Sequence, residues 1–597
     1  MITNYCDDTL RSLGVKEEYF LFCQLWKELT DERTFDSYQY KSFNIINGIE
    51  ELIHNIDSYL NGFVATTHSI CSVSEELIKH LRRDVVLSAK FPGIKNLLLK
   101  YLPQKRESVA EFKALRHQLS LYYKELSNGY DEALIDTLAD HVENKKTDTS
   151  ITLSATYISR CIDIGWSTKA LSSKLDLNEG KQLKDFLNRI FYCPKQTYCF
   201  FFPFRQIEVI PPKGKTKEDS KIYVKEQLNK FCVSVLSKEA IIAQYSELNS
   251  ELLKENEYIC VTSKCKDIYS ASHDAIITLS NVLNILSFFS AIGPWSIKNK
   301  TWVGYNTEAP YTITLRPLDI YRTYEYLDSS STVYNRIERL IHTEADYSEL
   351  YQKLLSAFSY TNLSHASMTV EEKYMNMWIA LESLTRTDSH DGIISNIIQC
   401  VPNACSLRYI YRELRNFAED CGRCNISLDF ETIKIDLQDA NKEQIVLQML
   451  SLFRNETYRV DLIERCKICT LLSYRCQQIY NLVVDENNMI AHIKSHHQTI
   501  EWHLDRLYRI RNEIAHSALF QHVAIVRYTE HLYDYLATYI SEIVRFACKK
   551  DITSFGTLSA AINDNYQEFE IVTNDKKVKD KKALLGNLWT SGIMNFI

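Results

Sequence analysis

Residues 500–516 read IEWHLDRLYRIRNEIAH. Within them Ile500, Leu504, Leu507, Ile510 and Ile514 recur at steps of four, three, three and four, which defines one apolar stripe of an amphipathic helix. At about 100° per residue, Asn512 and His516 fall on the side turned away from that stripe. Arg511 lies at its edge, with a side chain long enough to reach round. The pattern therefore predicts an arginine, an amide and a histidine on one helix flank, free to meet a ligand or a second subunit.

Those residue types suit one chemistry. A histidine titrates near neutral pH and can take a proton from a ribose 2′-hydroxyl or return one to a leaving oxygen. A guanidinium offers a rigid fork of donors and a permanent charge to a phosphate whose negative charge grows during in-line attack. Together they could cleave RNA without a metal, leaving a 2′,3′-cyclic phosphate and a 5′-hydroxyl, a path closed to DNA. The spacing alone is unspecific: Arg336 and His342 match it in RIERLIH, and Arg509 with His516 is a second register of the main motif.

The run RNEIAH, with asparagine directly after arginine, resembles the signature of HEPN ribonucleases. Upstream, EEKYMNMWIALESLTR, residues 371–386, resembles the first long helix of the Apea-like HEPN family, with its "ALE" stretch. Val370, Tyr374, Met377, Leu381 and Leu384 step by four, three, four and three, so this segment has a helical core face of its own. The resemblance covers roughly residues 345–550. It implies a four-to-five-helix bundle that dimerises and brings two motifs into one composite ribonuclease site. It further implies that Arg511 stabilises the transition state, His516 transfers protons, and Asn512 orients the histidine or substrate, with Glu382 a candidate supporting partner. The stretch between the two helices, roughly 387–498, is long for a compact bundle.

A chain of 597 residues is too long for one core and should form two to four domains. Only 15 glycines and 10 prolines against 45% hydrophobic residues favour long helices. The net charge of -7 excludes a globally basic nucleic-acid binder, so RNA contact would need a local patch. Met1–Asp8 is polar rather than a charged leader with an apolar run, which points to an intracellular, cytoplasmic protein. The 17 cysteines then read as reduced thiols, not a disulfide framework.

The expected fold class is mainly α and multidomain. Residues 1–150 read as a helical N-terminal region, with the polar run Glu143–Ser150 as a linker. Residues 151–344 read as an α+β module. It opens on two short helices joined at Gly165, and strands are predicted over Gln196–Ile210, Tyr258–Ser263, Thr301–Tyr305 and Tyr311–Leu315. Ala275–Ile297 lacks charge and is long enough to cross a bilayer, but Ser280, Asn281, Asn284, Ser287 and Ala291 form a polar or small stripe, so a core helix covering a sheet is preferred. Residues 345–550 are the HEPN-like bundle. Residues 551–597 read as a basic C-terminal tail carrying Lys576, Lys577, Lys579, Lys581 and Lys582.

Other motifs carry less. The GKT triplet at 214–216 lacks the earlier glycine of a phosphate loop, position 209 being Val209. Cys400, Cys405, Cys421 and Cys424 have a spacing compatible with structural zinc, and Cys466 with Cys469 is another close pair, although residues three apart on a helix simply share a face. No other cofactor is expected. The leading expectation is a metal-independent endoribonuclease, acting on RNA such as tRNA as a homodimeric antiphage abortive-infection effector that answers a phage-derived trigger. The alternatives are a catalytically silent HEPN module that binds RNA or nucleotide or scaffolds a partner, and a purely helical structural protein.

Overall fold

The computed structural model describes the chain outside residues 1–5, 31–42, 65, 178–180, 212–213, 215, 229, 231–232, 289–293, 299, 318–329, 343–348, 387–391, 438–441, 517–523, 551–553 and 576–597. Helices fill both ends and a small antiparallel sheet occupies the middle, so the chain is mainly α and multidomain, as its scarcity of Gly and Pro predicts.

The middle sheet has five strands in the order β3-β4-β1-β6-β7, all antiparallel: β1 (Gln196–Pro203), β3 (Ser234–Ser237), β4 (Glu257–Cys265), β6 (Trp302–Asn306) and β7 (Tyr311–Leu315). A separate pair joins β2 (Ile207–Val209) to β5 (Trp295–Ile297). Strand β1 is aromatic without alternation because both of its faces are covered. Tyr198, Phe200 and Phe202 pack beneath the Ile268–Phe288 helix, while Cys199 and Phe201 meet Ile241, Leu248 and Leu253 on the other side. The uncharged segment as far as Phe288 is thus a core helix on a sheet, its end at 295–297 forms strand β5, and Ala291 of the expected stripe lies outside the described residues. No described helix is long and apolar enough to cross a membrane. The short strands β3 and β5 escape the sequence pattern, since each spans only three or four residues.

One apolar cluster runs through both helical regions, from Leu10 to Phe191 and again from Leu350 to Phe569. The N-terminal helices are therefore packed into the C-terminal ones. Arg475 lies 2.9 Å from Glu28 and 2.8 Å from Asp420, and Thr470 donates to Asp7 at 2.9 Å. Where the run Glu143–Ser150 suggested a linker, helices Tyr130–Glu143 and Thr147–Asp163 are joined by a three-residue turn with Lys145 at φ 55°. Among the described residues of the interval 387–498 stand five helices, Ile393–Ser406, Tyr409–Arg423, Lys442–Arg454, Glu456–Cys466 and Thr470–Val484, and the start of the helix Glu486–His516. The segment read as a basic tail begins instead with a helix, Phe555–Asn574, whose Phe555, Leu558, Ile562 and Phe569 are buried against the bundle. An apolar face at helical spacing explains this, and the five tail lysines lie outside the described residues.

Candidate functional site

The motif closes a single 31-residue helix, Glu486–His516. It has no Gly or Pro, and it starts where the Asp485 carboxylate accepts from the Asn487 N–H at 2.9 Å, with Glu486 in the first turn. Ile500, Leu504, Leu507 and Ile510 are buried, which sets the rotation of every other residue on the helix. The Val370–Thr385 helix lies against it, capped by Thr369, whose hydroxyl accepts from the Glu372 N–H at 3.3 Å. Its five predicted core residues Val370, Tyr374, Met377, Leu381 and Leu384 are all buried. Tyr374 donates its hydroxyl to the Leu507 carbonyl at 2.5 Å and pins the two helices together one turn before the motif.

This packing brings Glu382 to Arg511, with Glu382 Oε1 3.8 Å from Arg511 Nε. The same carboxylate oxygen accepts from Trp378 Nε1 at 2.5 Å, so the glutamate is held from its own helix, one turn away. Arg511 in turn donates from Nη1 to Asn512 Oδ1 at 3.2 Å, while its Nε is buried without a hydrogen bond. The guanidinium is thus steered by a carboxylate on one side and an amide on the other, and its side chain stays 25% exposed. His516 is exposed on the last turn, nearly opposite the apolar stripe, with Asn512 one turn below it. The alternative register is closed, since Arg509 is taken up by ion pairs to Glu51 and Asp505.

The flank expected to be free is only partly so. Helices Ile45–Leu60 and His68–Arg83 of the N-terminal region lie along it. Arg506 is buried between Glu51, at 2.9 Å, and Glu76, with the Phe43 ring 4.6 Å from its guanidinium carbon. Lys79 sits over the Trp502 ring at 5.0 Å. The contact runs up to the motif, where His54 Nε2 lies 3.2 Å from Glu513 Oε1. Burial by itself would raise the Glu51 carboxyl, but Arg506 and Arg509 outweigh it and hold the group below its ordinary value. The hydrogen bond to Glu513 raises the His54 imidazole. Ala515 and His516 extend past this cover. No local pattern announces Glu51, His54 or Glu76, because their partners stand more than 400 residues away in the chain. Sequence reasoning missed Trp378 too, although its place four residues before Glu382 on one helix face is a signal that could have found it.

The cysteines group differently from their spacing. Cys400 lies 3.3 Å from the Ser559 hydroxyl, and burial pushes up the Cys405 thiol beside Glu542. Neither joins Cys421 and Cys424, whose thiols face Cys466 and Cys469 respectively, with Cys6 and Cys476 alongside. Cys421, Cys424, Cys466, Cys469 and Cys476 are all buried. Among the described residues no cluster of His, Cys, Asp and Glu is disposed to hold a metal ion. The GKT threonine, Thr216, spends its hydroxyl on Asp219 at 2.7 Å at the start of the Lys217–Leu228 helix.

Comparison with protein-family models, with curated proteins and with solved structures found no match to this chain.

Proposed function

We propose that the chain is a metal-independent endoribonuclease of HEPN type that cleaves RNA by attack of the 2′-hydroxyl on the adjacent phosphodiester. The observation that supports this reading is the placement of Arg511. Its guanidinium is steered by Glu382 and Asn512, yet partly exposed, on the same terminal turns as an exposed histidine. A fixed cation of this kind can stabilise charge that develops on a phosphate, and an accessible imidazole can move the proton. From the resemblance of RNEIAH and the ALE helix we further infer a cytoplasmic antiphage effector, homodimeric, acting on RNA such as tRNA after a phage-derived trigger.

A specific observation favours a second reading. The N-terminal helices touch the motif helix at Trp502, Arg506 and Glu513, and Arg511 is already engaged within the chain. A catalytically silent module that binds RNA or scaffolds a partner fits that engagement. One assay separates the two. Full-length protein is incubated with total tRNA in EDTA, and 5′-hydroxyl ends are counted for the parent, Arg511→Ala and His516→Ala. Under the nuclease reading each variant loses about 10²–10³-fold in rate. Equal cleavage by parent and His516→Ala removes that residue from the chemistry, and RNA bound but never cut by the parent selects the binding module.

A further inference from the structure

Transesterification of RNA moves two protons. One leaves the attacking 2′-hydroxyl and another must reach the departing 5′-oxygen. His516 can serve one of these transfers at a time. The described structure places a second accessible imidazole beside the motif within the same chain. His54 projects from the Ile45–Leu60 helix with a side chain 61% exposed, and its Nε2 lies 3.2 Å from Glu513 Oε1. Glu513 and His516 are three residues apart on the motif helix, so they share a flank and neighbour one another across a single turn. Glu513 is therefore bonded to His54 from the N-terminal region and lies one turn from His516 along the motif helix.

Resting on the nuclease reading above, we propose that His54 is the second proton-transfer group of this site, supplied in cis, and acts as the acid while His516 acts as the base. His516 removes the 2′-hydroxyl proton as the 2′-oxygen bonds to phosphorus. The bond from phosphorus to the 5′-oxygen breaks, and the leaving oxygen takes the Nδ1 proton of the His54 imidazolium. Glu513 keeps the Nε2 proton, orienting the ring and stabilising its charged form, as a carboxylate does behind a histidine general acid. The two imidazoles regain their starting states by proton exchange with water.

Other histidines near the motif helix do not fit. His503 is buried, bonded to Tyr535 at 2.8 Å, with its imidazole pushed down to about 3 by burial. His68 pairs with Asp505 at 4.0 Å, eight residues before Glu513 and so about 12 Å back along the axis. The charged groups around His54 are largely committed. Glu513 faces it from the motif helix, and Glu51 and Asp57 stand on its own helix. Arg506 and Arg509 hold Glu51, Arg116 of the Val109–Ser127 helix holds Asp57 at 3.0 Å, and Glu76 of the His68–Arg83 helix is held by Arg506. Glu513 is the one of these carboxylates bonded to the ring.

The test compares an oligoribonucleotide cut by the parent with the same oligonucleotide carrying a bridging 5′-sulfur at the scissile linkage, a leaving group that departs without a proton. His54→Ala should slow the normal RNA by about 10²–10³-fold and the thio substrate by only a few-fold, whereas His516→Ala should slow both. His54 is mostly exposed, so its removal leaves the core intact, and thermal unfolding confirms that. Glu513→Gln should shift the alkaline limb of the pH–rate profile to lower pH, because the acid form of His54 loses its stabilising carboxylate. Equal losses on both substrates, no loss on normal RNA, or an alkaline limb unmoved by Glu513→Gln overturns the role of His54 while leaving the nuclease reading standing. A parent that cuts neither substrate overturns both.

Discussion

Arg511 shows how little of a site belongs to its own motif. RNEIAH names the arginine, but the carboxylate that steers it comes from Glu382 on another helix, and that carboxylate is itself held by Trp378. Trp378→Phe removes the hydrogen bond while keeping most of the ring's bulk. Under the proposed nuclease reading, the prediction is a fall in RNA cleavage of about tenfold, roughly the 1.4 kcal/mol of one misplaced charged contact, without loss of thermal stability beyond a few degrees. Glu382→Gln should fall further, since a neutral amide no longer attracts the guanidinium. Unchanged rates in both would make this contact incidental. Spacing alone leaves Arg509 and Arg511 equal, and it is the asparagine directly after Arg511 that singles it out in the sequence, with Glu382 in the ALE stretch as its candidate partner. Arg509 is disqualified in the fold by its ion pairs to Glu51 and Asp505.

Helices and strands with strong periodicity were legible, and weakly patterned ones were not. The motif helix and its Val370–Thr385 partner show their buried stripes in the sequence, and each predicted position on the partner is buried. Leu504 and Leu507 should therefore behave as core residues. Leu504→Ala is expected to cost about 2–5 kcal/mol in urea unfolding, and a cost below 1 kcal/mol would mean the helix is rotated from its described position. Strand β6 offers a tighter case. A side chain on Gly304 would stand 2.7 Å from Leu315 Cδ1 and 3.0 Å from Ile268 Cδ1, so the glycine allows the Ile268–Phe288 helix to lie close on the sheet. Gly304→Ala should lose about 1–3 kcal/mol by overpacking, read from the same urea midpoint. Strands β3 and β5 carry too few residues for alternation to show, and the Phe555–Asn574 helix was hidden by the lysines that follow it.

The N-terminal and C-terminal helical regions share one core, joined around Arg475 and Arg506. Arg506 is the more revealing of the two. It neutralises Glu51 and Glu76, and removing it leaves Glu76 without its charge partner and Glu51 with Arg509 alone inside the junction. Arg506→Ala should cost about 3–5 kcal/mol at neutral pH. Glu51 has a lowered pKa in the folded chain, so the stability it contributes is complete above the ordinary glutamate value, about 4.3, and is lost as pH falls through the lowered value. Burial moves Glu76 the other way, despite Arg506, so its contribution is present at low pH and lost as pH rises through the raised value. The penalty of Arg506→Ala should accordingly shrink on acidification, as the stranded carboxyls take up protons. Urea midpoints across pH 4–7 that show a constant penalty, or one under 1 kcal/mol, would refute this account of the junction.

Local pattern alone was enough to specify a mainly helical chain, the apolar faces of the two partner helices, the segments that hold β1, β2, β4, β6 and β7, and the helix flank that carries Arg511, Asn512 and His516. These depend on spacing over a few turns, where backbone geometry dictates which side chains align. The cover of the N-terminal helices over that flank, the pairing of His54 with Glu513, and the meeting of Cys421 and Cys424 with Cys466 and Cys469 emerged only once the chain was folded. Each of these joins residues tens to hundreds of positions apart, and their approach is set by how separate apolar stripes pack into one core, a condition that no short window of sequence contains.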